Sequence, residues 1–165
     1  MFRCGLNRVM TAVLLGCGVV AAGCGNSSEV KTGSDKAGKS LYDRLGGEAA
    51  IRLVVDDFVA RGAGNARVNF ARTGTQKEWK ATDENVMKLK NGLVAFISEN
   101  TGGPRGYRGK DMKTAHRGMM ISNAEFDALA GDLKASLDKY NVPQKEQDEL
   151  LAIVGSTRGD IVEVR

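Results

Sequence analysis

Along residues 40–163 the apolar positions recur at three- and four-residue steps rather than alternating, the spacing of helices packed by one face. Ser40, with Asp43 three residues on, opens a short helix in a shortened capping-box arrangement, and Gly46-Gly47 interrupts it almost at once. The next helix sets Ile51, Val54, Val55 and Phe58 on one face and closes at Gly62 and Gly64. Residues 71–82, including Trp79, break the pattern as a polar loop. A third helix is expected to start near Thr82 or Asp83, with Val86, Leu89, Leu93, Phe96 and Ile97 as one apolar stripe. Gly102-Gly103-Pro104 ends it, because the glycines supply a terminating turn and proline cannot continue a helix.

The segment Arg105 to Lys110, which contains Tyr107, is expected to be extended or looped. A short helical piece follows around Met112 to Arg117 and stops at Gly118. Ser122 with Glu125 forms a full capping box, opening a helix that turns Phe126, Leu129, Leu133, Leu137 and Tyr140 to one side. Asn141-Val142-Pro143 begins the last helix, with Pro143 in its first turn and Leu150, Leu151, Val154 and, farther on, Ile161 facing inward. The pattern predicts an all-α domain of two earlier and two long C-terminal helices, with a looser segment between them. That segment holds the chain's single histidine, His116.

The first two dozen residues follow a different logic. Arg3 and Arg8 precede an uncharged apolar run from Val9 to Ala22, the pattern of a secretory signal peptide. Ala21-Ala22-Gly23-Cys24 resembles a bacterial lipobox, which makes residues 1–23 the signal peptide and Cys24 the acylated first residue of the mature chain. Leu14-Leu15-Gly16-Cys17 is a second candidate, but cleavage there leaves an apolar core of only about eight residues. An ordinary signal peptide that happens to contain cysteines is the plainer alternative. Residues 24–39, rich in Ser, Gly, Lys and Asp, read as a flexible tether, and residues 40–165 as the domain. The expected location is the periplasmic or other extracytoplasmic face of a bacterial membrane.

Composition sharpens this division. Cys4, Cys17 and Cys24 all lie at or before the cleavage site, so the domain has no disulfide and must rely on its core or a cofactor. The 165-residue chain carries 24 basic and 20 acidic side chains, and loss of Arg3 and Arg8 leaves 22 against 20. So small an excess points to neither nucleic acid nor anionic lipid as a partner. Gly-rich phosphate loops of recognised spacing and flavin or nicotinamide motifs are missing.

One histidine without a thiol cannot build a zinc site, which needs about three or four protein ligands. Haem is the exception, because the porphyrin supplies four nitrogens and one imidazole completes a five-coordinate iron. A domain with one His and no Cys is therefore compatible with haem and poorly compatible with other transition-metal centres.

Several segments together resemble the group I truncated haemoglobins. They are Leu41-Tyr42-Asp43-Arg44-Leu45-Gly46-Gly47, Val54-Val55-Asp56-Asp57-Phe58, Thr101-Gly102-Gly103-Pro104 and, above all, Tyr107-Arg108-Gly109-Lys110-Asp111-Met112-Lys113-Thr114-Ala115-His116-Arg117-Gly118-Met119. Ile121 to Leu137 and Val142 to Val162 are similar to the family's final two helices, so the resemblance covers about residues 40 to 163. It implies a two-over-two helical sandwich around haem b, with His116 as the proximal iron ligand. That role requires one neutral imidazole nitrogen facing iron while the other donates outward, often to a backbone carbonyl. Phe70 matches an aromatic residue that packs on the haem face. Tyr107 and Met112 match pocket-wall positions, where plain core packing is an equal alternative. Arg117 is a candidate partner for a haem propionate, or an ordinary exposed arginine at a helix end.

The distal side departs from the family's best-known pattern. Where many members place a tyrosine directly after the phenylalanine matching Phe58, this chain has Val59. The two distal positions on the third helix correspond to Leu89 and Leu93, although the 71–82 loop leaves room for a one-turn shift. A pocket so lined lacks the usual phenolic and amide donors. Reversible binding of a diatomic gas (O2, NO or CO) is the leading expectation. A nitric-oxide-detoxifying haem dioxygenase dependent on an external reductase is the alternative, with a non-haem helical lipoprotein interaction module as the third reading.

Overall fold

The computed structural model describes residues 38–164; the expected signal peptide, Cys24 and most of the tether lie outside the described residues. Seven helices follow in order: α1 (Leu41–Arg44), α2 (Gly47–Gly64), α3 (Asp83–Asn100), α4 (Met112–His116), α5 (Asn123–Lys139), α6 (Gln144–Ser156) and α7 (Arg158–Ile161). Among the described residues no helix is long and apolar enough to cross a membrane.

The helix starts follow local chemistry. Ser40, Thr82, Asp111 and Ser122 each cap a helix by accepting an early backbone N–H, from Asp43, Asn85, Thr114 and Glu125 respectively. At Ser122 the capping box is complete, the Glu125 carboxylate returning to the Ser122 amide. Between α1 and α2 the chain turns sharply through Gly46 and Gly47, both at positive φ. A β-carbon at Gly46 would stand 2.9 Å from that of Ala50, so glycine is required twice over.

The α2 helix packs on α3 and on α5, and α5 packs on α6, which gives the two-over-two arrangement. Its core joins Ile51, Val54, Val55 and Val59 of α2 to Val94 and Ile97 of α3, Leu133 and Leu137 of α5 and Leu150 of α6. Each of these side chains contributes roughly 1.5–3 kcal/mol by leaving water.

Three expectations are corrected here. The α3 stripe divides into two faces: Val94, Ile97 and Ser98 are buried, whereas Val86, Leu89, Leu93 and Phe96 are only half-buried beside them. Periodicity shows that an arc of a helix is apolar, but not what covers each part of it. Tyr140 is exposed, because α5 ends one residue before it. Pro143 stands at the N-cap with extended ψ of 147°, and the final helix breaks at Thr157, whose hydroxyl donates to the Val154 carbonyl in competition with the helix ladder. After α7 the chain returns to α5, and the amides of Glu163 and Val164 donate to the Ile121 carbonyl.

Two ionic clasps tie distant helices. Arg44 of α1 reaches the Glu146 and Glu149 carboxylates of α6. Asp57 of α2 accepts from Lys139 and Ser136 of α5 and from Arg61 one turn on. The Lys139 ammonium, then the Arg61 guanidinium, hold the Asp57 carboxyl far below the usual carboxylate range. A depressed folded-state value means that this stabilisation is complete above the unfolded-chain value of about 3.9 and is lost as pH falls below it. Asp57→Asn is therefore expected to lower the melting temperature at pH 7, with the gap from the native chain narrowing below about pH 4. Thermal melts of both proteins between pH 3 and pH 7 check this.

Candidate functional site

His116 is the last residue of α4, a helix of a single turn that Asp111 caps at its start. Its ring is half-buried, and Nδ1 lies 2.8 Å from the Met112 carbonyl oxygen. A carbonyl can only accept, so Nδ1 donates and carries the ring hydrogen. Nε2 is left as the lone-pair nitrogen, the form in which imidazole binds a metal. The outward donor that a proximal ligand requires is thus met by the residue one helical turn earlier.

The residues after His116 form a tightly held turn. The His116 carbonyl accepts from the Met119 amide at 3.0 Å, and Gly118 and Met120 both take positive φ. The Glu163 carboxylate receives the Gly118 amide at 2.8 Å and the Met120 amide at 2.7 Å. Those two donors hold its carboxyl below the usual range. From the other side Arg72, 5% exposed, donates to the Met119 carbonyl at 3.2 Å and to Glu125 at 2.6 Å. Burial works against the charge of Glu125, but the Ser122 and Asn69 amides and then the Arg72 guanidinium outweigh it and keep its carboxyl low.

The apolar residues predicted for the site occupy the edge of the core. Phe58, Phe70, Leu89 and Leu93 are half-buried and pack against the central cluster. Phe70 is held by its backbone: the Trp79 indole N–H donates to its carbonyl at 2.7 Å, and the two rings stand 5.3 Å apart. At Gly62, near the end of α2, a β-carbon would come 2.9 Å from Leu129 and 3.8 Å from the Phe70 ring, so glycine lets both side chains close over the helix. Tyr107 meets Phe96 edge-on at 5.8 Å, and its hydroxyl donates to the Lys110 carbonyl. Burial, then the Asp111 charge, push that hydroxyl's pKa up. A β-carbon at Gly109 would strike the Tyr107 ring.

Met112 is joined to His116 through its carbonyl and is itself half-buried. Val59 differs from the other predicted wall residues, being 4% exposed within the core cluster. Arg117 is exposed at the end of α4, in the attractive field of Glu163. Sequence reasoning missed Arg72 and Glu163 altogether. Nothing in a polar loop or a chain terminus marks a residue whose partners lie more than 40 positions away. Glu125 was visible only as a capping residue.

These residues fit a flat, apolar, metal-bearing group. The half-buried faces of Phe58, Phe70, Leu89 and Leu93 leave hydrocarbon in reach of a covering ligand, and each Å² so covered is worth roughly 25 cal/mol. Among the described residues no three His, Cys, Asp or Glu side chains stand close enough to share a metal ion, so a metal held at His116 would take its other donors from the group that carries it. A separate apolar hollow, lined by Leu45, Ile51, Val54, Ile97, Leu137 and Leu150, involves none of the predicted site residues.

Over residues 40–163 the chain matches the family described as "Bacterial-like globin". A group 1 truncated hemoglobin of Mycolicibacterium paratuberculosis is 32% identical over 122 residues, covering 74% of this chain and 83% of that protein. One from Synechocystis sp. is 31% identical over 121 residues, covering 71% and 90%. Among solved structures, the Fe(III) form of a truncated hemoglobin from Tetrahymena pyriformis has a TM-score of 0.65 at 29% identity, covering 75% of this chain and 98% of that one. The 2/2 hemoglobin of Synechococcus sp., in the cyanomet state with covalently attached heme, has a TM-score of 0.64 at 32% identity and the same coverage.

Proposed function

Because the chain belongs to the bacterial-like globin family and, within it, to the group 1 truncated hemoglobins, we propose that it binds haem b and takes up a diatomic gas (O2, NO or CO) reversibly, with His116 as the iron's protein ligand. The observation that carries this reading is the Nδ1–H donated to the Met112 carbonyl, which leaves Nε2 ready to bind metal. Haem, when bound, would supply the porphyrin nitrogens and an iron able to take a gas ligand. Met112, Tyr107 and Phe70 supply wall on its faces, Phe58, Leu89 and Leu93 exclude water, and Arg117 is available to a propionate.

Leu89 and Leu93 offer no N–H or O–H to a polar diatomic ligand. A charge-assisted hydrogen bond at such a site is worth roughly 1.5–3 kcal/mol, or about ten- to a hundredfold in retention. The wall therefore suits weakly held oxygen and the less polar CO and NO. It disfavours the dioxygenase reading, which needs oxygen held until NO arrives and an external reductase. The prearranged His116 ring disfavours a haem-free interaction module.

The proposal extends to the N-terminus. Residues 1–23 act as a lipoprotein signal peptide, Cys24 carries the lipid, and residues 24–39 tether a 40–165 globin domain at an extracytoplasmic membrane face. The charge pattern and lipobox of the sequence support it. Cys24→Ala in the native host is expected to move the protein from the membrane to the soluble fraction. Unchanged membrane association in that variant, with Cys17 also replaced, overturns the anchor.

Purified protein is expected to show a Soret band that shifts on reduction and again with CO, and His116→Ala to lose haem. A native chain that stays colourless after haem reconstitution overturns the assignment. Leu89→Gln, which adds an amide donor to the distal wall, is expected to slow oxygen release by about ten- to a hundredfold in stopped-flow measurements.

A further inference from the structure

The turn after His116 is built for an anion. Positive φ at Gly118 and Met120 turns both amides the same way, and each donates to a different oxygen of the Glu163 carboxylate. Met120 is not glycine, so its left-handed conformation is strained and must be imposed from outside. The intervening Met119 carbonyl points instead to buried Arg72, which Glu125 and the Asn69 carbonyl fix in place. Glu163 is itself anchored, because its amide and that of Val164 donate to the Ile121 carbonyl. Two groups from distant parts of the chain, the α2–α3 loop and the C-terminal tail, thus grip three residues just beyond the histidine.

This grip has a mechanical consequence. A one-turn helix closes too few backbone hydrogen bonds to hold its own shape. Asp111 secures its start, whereas the C-cap residue Arg117 returns no backbone amide to the helix. We propose that Glu163 is a positioning residue for His116: by gripping the Gly118 and Met120 amides it fixes the end of α4, and with it the direction from which Nε2 approaches the haem iron. The C-terminal tail thereby sets the strength of the iron–histidine bond. The inference rests on the haem reading above.

The test uses the full chain loaded with haem, comparing the native protein with Glu163→Ala and Glu163→Gln. Two readouts apply: the iron–histidine stretching band in resonance Raman spectra of the ferrous form, and the rate of haem transfer to apomyoglobin. Glu163→Ala is expected to shift or broaden the band and to speed haem transfer about ten- to a hundredfold, since it removes the charge-assisted hydrogen bonds of both the Gly118 and the Met120 amide. Glu163→Gln keeps an oxygen acceptor for one amide and should fall between the two. A tail that merely stabilises the fold would lower the melting temperature and leave the band in place, and that result overturns the proposal. If Glu163→Ala does not fold, Glu163→Gln decides alone: a band and transfer rate matching the native protein overturn the proposal, and a smaller change in the same direction supports it. A native protein with no iron–histidine band overturns the haem-ligand reading itself, whereas a normal native band that ignores both variants overturns only the role of Glu163.

Discussion

The His116 Nδ1–H donated 2.8 Å to the Met112 carbonyl sets the chemical character of this domain. It fixes which nitrogen carries the hydrogen, restrains the ring about its own bond to the backbone, and presents a lone pair on the far side. Because the acceptor is a main-chain carbonyl one turn back, the arrangement exists only if residues 112–116 are helical. Every element around α4 can be understood as a means of keeping that single turn folded.

The supports are of different kinds and come from different parts of the chain. Asp111 caps the turn locally. Glu163 and Arg72 seize the backbone just past it, one from the C-terminal tail and one from the loop between α2 and α3. Phe70 belongs to that same loop and is fastened through Trp79, so the loop that steadies the turn after His116 also presents an aromatic ring at the edge of the core. The α2–α5 contact, clasped by Asp57, provides the frame on which these pieces converge. A haem held here would owe the rigidity of its surroundings to polar contacts at the rim and its affinity to the hydrocarbon within.

Much of this was legible in the residues. Ser122 with Glu125, Gly102-Gly103-Pro104 and the isolated turn around His116 mark their boundaries by chemistry that acts within a few positions. The likeness to truncated haemoglobins drew the separate segments into one fold. What stayed hidden depends on distance in sequence or on what lies across an interface. Leu89 and Leu93 are as apolar as Val94 and Ile97, and only packing separates the half-buried pair from the buried one. Val59 reads as a wall residue, yet packing against α3 and α5 buries it in the core. Arg72 looks like any loop arginine until its three partners are seen together.

The single histidine makes a direct measurement straightforward, since one isotopic label reports one ring. In haem-loaded protein labelled with nitrogen-15 histidine, proton NMR of the ferrous form should show one exchangeable ring N–H, bonded to labelled nitrogen and shifted far outside the ordinary range by the nearby iron. A histidine ring resonating at ordinary diamagnetic positions in pigmented, ferrous protein would contradict the assignment of His116 as the ligand.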